Sequence, residues 1–142
     1  MKLASRKIAS PIEQRRDRRL HDRERAPPLR QLFPQLGLVR LEMVFADPTR
    51  PAPSSQSHTF YGAARAFFRF ACPCFDCDGE FDLSATVREL AAAAGPRLRQ
   101  VRGTLQCQGI RTRDRASGAH CPIELQFQAG TTTAGGARTE PV

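Results

Sequence analysis

The sequence predicts an α+β domain, a small antiparallel sheet with one helix. Three observations predict it. Val39, Leu41, Met43 and Phe45 fall on one face of an extended segment, and Ile123, Leu125, Phe127 and Ala129 alternate in the same way near the other end. Between them Val87, Leu90, Ala91 and Ala94 recur at helical spacing. The chain has 142 residues, room for one domain.

The first thirty residues hold ten basic and four acidic side chains, whereas residues 31–142 hold twelve and ten. The basic character of the chain therefore belongs to an arm, residues 1–35, and the rest is nearly neutral. Within the arm, Glu13 to Arg25 has one strongly apolar residue, Leu20. A helix there has no face to bury, so disorder or a frayed helix is predicted. Ala26-Pro27-Pro28 then breaks any helix and separates arm from body.

The body spans residues 36–129. Its first strand begins near Leu36. Asp47 to Ser57, with Pro48, Pro51 and Pro53, is a surface loop by composition, and His58 is placed in a loop without a partner. His58 to Phe70 carries Phe60, Tyr61, Phe67, Phe68 and Phe70, read as core rather than as a platform for bases. Its second half, Ala66 to Phe70, reads as a strand running into a cysteine turn. Ser84 is the expected N-cap of the helix over 84–94, and Gly95-Pro96 ends it. Val101 to Cys107 and Ile123 to Ala129 read as two further strands. Residues 130–142 lack apolar side chains and are expected to be a disordered tail.

All five cysteines lie in the body: Cys72, Cys74, Cys77, Cys107 and Cys121. The first three share a short turn with Pro73 and Gly79, where sulfurs converge while backbone N–H groups face them, as a thiolate–zinc knuckle requires. Cys107 and Cys121 sit at the end of one expected strand and the start of the next. If those strands form a hairpin, both stand at its mouth, so that two thiolates from the turn and two from the hairpin surround one zinc ion. Spacing alone leaves open whether Cys74 or Cys72 joins Cys77, and His120, beside Cys121, is a substitute ligand. Arg69, Arg111, Arg113 and Arg115 are placed to screen the sulfurs.

Other readings compete. Disulfides would leave an odd cysteine, and no apolar stretch follows the basic N-terminus as an export signal requires, so a cytoplasmic location is expected. A redox or metal-responsive role for Cys74 and Cys77 needs a lowered thiol pKa. Asp76, Asp78, Glu80 and Asp82 crowd the turn and oppose a thiolate. The acidic run does not match a calcium loop, since Gly79 is not at the sixth position, and is read as a solvated face. No phosphate loop, dinucleotide fingerprint, nucleophile elbow or membrane-length apolar run is present.

His58-Thr-Phe-Tyr61, Ala66-Phe-Phe68, Cys72-Pro, Asp76-Cys-Asp-Gly79, Phe81-Asp-Leu83, Gly103-Thr-Leu-Gln-Cys107 and Cys121-Pro122 carry a likeness. On these residues the stretch from about Leu38 to Ala129 resembles a group of small, uncharacterised bacterial zinc-ribbon-like proteins with no established activity. The resemblance implies a fold, a zinc ion and the ligand set Cys72, Cys77, Cys107 and Cys121, with Cys74 an extra thiol. The arm lies outside it. Four thiolates leave no open position for water on the metal, so the expectation is a non-enzymatic, zinc-stabilised module. Its partner is expected to be a protein, or non-specific nucleic acid gripped through residues 1–30, and not a membrane.

Overall fold

The computed structural model describes residues 10–93 and 99–133. Six strands and three α-helices are found among them, an α+β architecture with two more helices than the one expected. The strands are β1 (Leu36–Ala46), β2 (Ser54–Tyr61), β3 (Arg69–Ala71), β4 (Glu80–Asp82), β5 (Arg99–Gln106) and β6 (Glu124–Thr133). The helices are α1 (Pro11–Arg25), α2 (Leu29–Leu32) and α3 (Ser84–Ala92).

Four strands make the main sheet in the order β2-β1-β6-β5, each pair antiparallel. Alternation decides which face is covered. Val39, Leu41, Met43 and Phe45 of β1 are buried, as are Leu125 and Ala129 of β6, and the register sets Leu41 opposite Ala129 and Phe45 opposite Leu125. Val87, Leu90 and Ala91 of α3 join the same core. The β3–β4 ribbon adds Phe81, whose ring lies 5.5 Å from that of Phe45.

The expected boundaries shift where backbone pairing outweighs composition. β2 starts at Ser54, inside the Pro/Ser stretch read as loop, because its serines pair with β1 at the sheet edge, where no apolar alternation is needed. His58 therefore lies in a strand, its ring 4.9 Å from that of Phe70. The strand read over Ala66–Phe70 is confined to β3. β6 continues past Ala129 to Thr133, pairing with β1 as far as Leu36, and Thr131 is buried. Residues beyond 133 lie outside those described. Leu83, not Ser84, is the N-cap of α3, and the Asp82 carboxylate accepts from the Ser84 N–H at 2.9 Å. Ala94 and Gly95-Pro96 lie outside the described residues. Of the five aromatics expected in the core, Phe68 is buried, Phe60, Phe67 and Phe70 are half-buried, and Tyr61 is exposed.

The arm differs most from its expectation. Where the charge pattern predicts disorder or a frayed helix, α1 begins with a capping box. The Ser10 hydroxyl accepts from the Glu13 N–H at 3.2 Å, and the Glu13 carboxylate accepts from the Ser10 N–H at 3.0 Å. No α1 residue is buried, so the helix is held by polar contacts: Arg19 pairs with Glu80 at 3.1 Å, and Asp22 with Arg69 at 2.7 Å. Neither partner is near in sequence, which is why the charge pattern of the arm did not reveal them. The boundary near residue 35 also moves. Leu29 has no exposed surface, and its N–H donates to Ala64 at 2.7 Å, so the chain joins the core before β1 begins.

Candidate metal centre

Each cysteine but Cys74 ends up at a place fixed by a strand. Cys72 follows β3 directly, Cys77 closes the turn before β4, Cys107 follows β5, and Cys121 lies three residues before β6. The hairpin inferred from the sequence forms: β5 and β6 pair as far as Gln106 and Glu124, and the Cys107 N–H donates to Ile123 at 3.0 Å. Across the site, the Cys77 segment bridges to Arg111, and the Cys121 N–H donates to Gly109 at 2.8 Å. Backbone pairing thus holds four sulfurs from two distant stretches together.

The sulfurs of Cys72, Cys77, Cys107 and Cys121 all lie within 4.8 Å of one another, and all four residues are buried. The Cys72–Cys121 and Cys77–Cys107 separations are 3.9 and 3.6 Å. Neither is a disulfide, since a bonded pair stands about 2.05 Å apart. A tetrahedron of sulfurs around a metal at about 2.3 Å has edges of about 3.8 Å, and the two separations straddle that value. Four thiols at these distances are compatible with a metal site.

The turns around the sulfurs have the form that thiolate ligands need. The Gly79 N–H points at the Cys77 sulfur (3.3 Å) and the Gly109 N–H at the Cys107 sulfur (3.4 Å). Both are Cys-x-Gly turns, and they pack against each other. A Cβ on Gly79 would lie 2.5 Å from the Cys107 sulfur, and one on Gly109 would collide with the Gly79 backbone. Gly109 is a site residue that the sequence reading passed over. The signal was the repeated Cys-x-Gly, visible only when Cys77 and Cys107 are compared directly. Asp78 ties the two turns by accepting from the Ile110 N–H at 2.8 Å.

The thiols titrate as a group. Hydrogen bonding from Cys72 and from the Gly109 N–H lowers Cys107 to about 6, despite its burial. Cys72 is pushed far up by that same bond to Cys107 and then by burial, and burial followed by the Cys107 charge raises Cys77 to about 12. Cys72, Cys77 and Cys107 together accept one negative charge readily and resist the next, as expected of crowded like charges. A bound dication would reverse that resistance.

Cys74 stands apart from the quartet. Its thiol donates to Asp76 at 3.0 Å, and burial and that carboxylate raise its pKa. The Arg113 guanidinium holds Asp76 well below the usual carboxylate range and approaches the Cys74 sulfur at 3.8 Å. Arg113 is therefore near a sulfur, as expected, but one outside the cluster of four. Arg69 bonds Glu80 and Asp22 instead of screening sulfurs and Arg115 is exposed, whereas Arg111 pairs with Asp114 and is near enough to the Cys121 sulfur for that charge to favour its own, as expected. His120 is exposed, its ring nitrogen 3.0 Å from the Gln108 carbonyl, and is not among the clustered ligand atoms. The acidic run is not a solvated face: Asp76 bonds Arg113, Asp78 the Ile110 N–H, Glu80 two arginines and Asp82 the α3 N-terminus.

No protein-family model matches the chain, and the comparisons with curated proteins and with solved structures give no match either. No helix among the described residues is long and apolar enough to cross a membrane.

Proposed function

We propose that this chain is a non-enzymatic zinc-binding module, zinc-ribbon-like in its centre, with Cys72, Cys77, Cys107 and Cys121 as a structural tetrathiolate site. The observation that carries the reading is the convergence of four buried sulfurs, two of them, Cys77 and Cys107, in Cys-x-Gly turns. Soft thiolates in tetrahedral array favour zinc or an iron centre, and four protein thiolates leave zinc without an open coordination position and without redox chemistry. Bound there, it would supply folding energy, on the order of 10–16 kcal/mol of apparent binding in small zinc peptides. The chain's own residues do the rest: the two glycine N–H groups stabilise thiolates, and Asp78 locks one turn to the other.

Contact with a partner, protein or nucleic acid, is assigned to the arm, whose helix α1 carries six arginines against four carboxylates over residues 10–25. None of the five cysteines is in a disulfide, which fits a reducing compartment and a cytoplasmic protein. The thiol-chemistry alternative at Cys74 and Cys77 has the local chemistry against it, because the environment of Cys74 favours its protonated form.

Elemental analysis of purified protein, with thiol titration before and after chelation, tests the reading. One zinc per chain, one free thiol and unfolding on chelation are expected. Iron in place of zinc, or no metal together with a reversible disulfide, would overturn it.

A further inference from the structure

Arg15, Arg19 and Arg23 stand four residues apart on α1, so they form one stripe spanning about 12 Å. Like charges at this spacing destabilise a helix. Only the middle one is neutralised: Glu80 meets Arg19, and no ion pair among the described residues joins Arg15, Arg16 or Arg23 to a carboxylate. The outer two await an anion.

Both outer arginines open onto cavities with aromatic walls. On the N-terminal side, Arg15, Arg16 and Arg19 share a cleft of about 170 Å³ with Phe75, which is 82% exposed at the tip of the cysteine turn. On the C-terminal side, Arg19 and Arg23 face a groove of about 670 Å³ whose far wall is His58, Phe60, Phe67 and Phe70. Arg19 lines both, so the two form one track along the helix. Arg65 and Arg69 also line the larger groove with Glu24; Arg69 is already paired with Asp22 and Glu80, and its guanidinium lies 5.2 Å over the Phe67 ring.

We infer that this track binds single-stranded nucleic acid, with phosphates on Arg15 and Arg23 and bases against Phe75 and the Phe67–Phe70 wall. Cations spaced along a groove lined by aromatic side chains, Phe75 exposed and Phe60, Phe67 and Phe70 half-buried, suit an unpaired strand; a duplex keeps its bases stacked inside and cannot use the rings. An acidic peptide would satisfy the arginines but leave the rings unused. The inference deepens the partner clause of the proposed function and rests on the arm being the contact element. It needs no chemistry from a metal, although Cys72, Cys77 and Gly79 wall the smaller cleft.

The test is fluorescence anisotropy of the full chain with a labelled oligothymidylate at about 50 mM salt. The strand should bind more tightly than a duplex of equal length. Phe75→Ala, at a position too exposed to affect folding, should weaken binding about fivefold or more. Arg15→Ala combined with Arg23→Ala should lower the salt slope by about 1.4, since each phosphate contact on a single strand contributes about 0.7. Equal binding of duplex and strand, displacement by polyglutamate as readily as by unlabelled strand, or no effect of Phe75→Ala would overturn the assignment. Metal content measured on each sample separates the two readings. A metal-loaded protein that ignores the strand sinks this one alone, whereas a metal-free protein that binds it sinks the zinc reading alone.

Discussion

Gly79 and Gly109 lie backbone to backbone between the two cysteine turns, so close that neither has space for a side chain. Each also donates its N–H to the sulfur two residues before it. Their contact sets how near Cys77 and Cys107 come, and the 3.6 Å between those sulfurs depends on it.

Gly109→Ala should therefore damage the site without touching a sulfur. The added Cβ must push the Gly79 backbone away, a cost of about 1–3 kcal/mol for overpacking a dense interior. Competition with a chromophoric chelator should show metal affinity reduced tenfold or more, while Gly130→Ala, whose Cβ would meet only ordinary contacts from 3.5 Å, serves as the control. Unchanged affinity in Gly109→Ala would mean the two turns adapt freely.

The five cysteines should divide four to one. Cys107→Ser removes a wholly buried member of the quartet and should leave a protein without cooperative unfolding, read by circular dichroism, and without bound metal. Cys74→Ser should keep one metal per chain, because Cys74 contacts Asp76 and Arg113 and not the clustered sulfurs. The reverse result would move the ligand set to Cys74.

Asp78→Ala removes the carboxylate that accepts the Ile110 N–H and ties one turn to the other. Deleting a hydrogen bond to a charged group costs about 1.5–3 kcal/mol. The midpoint of urea unfolding should fall accordingly, with metal stoichiometry retained.

Docking of α1 should depend on acid in a defined direction. The Arg69 guanidinium lowers the Asp22 pKa from its ordinary 3.8, so the contact stabilises the docked helix above that value and is lost as pH falls through the lower folded value. Protection factors of amides 19–23, which correct for the intrinsic fall of base-catalysed exchange with pH, should thus stay flat from pH 7 to about pH 4 and drop below it. In Asp22→Asn the exchange should already be faster at neutral pH, and the acid step should be absent. High salt should speed exchange in the parent protein, since both ion pairs of α1 are partly exposed.

Much of the fold was legible in local pattern. The period-two run of β1 and that of β6 marked their buried faces, the stripe of α3 marked its own, and the expected hairpin brought Cys107 and Cys121 to one mouth. Each of these signals is short in range: a strand declares its covered face by alternation, a helix by its stripe. β2 gave no such signal, because an edge strand of serines is held by backbone bonds that leave no mark on composition.

What the amino-acid order determined by itself is therefore the class of fold, the cysteine-bearing turn and the places where strands begin to alternate. Tertiary structure alone decided that Cys72, and not Cys74, stands with the other three, that Gly109 must lack a side chain, and that the acidic run bonds arginines and backbone N–H groups. It also decided that the arm is a helix held by Glu80 and Arg69. All four depend on distances between residues 30 or more positions apart, as with Cys77 and Cys107 or Asp22 and Arg69. Such distances are set when the sheet closes and the turns pack, and periodicity along the chain carries no trace of them.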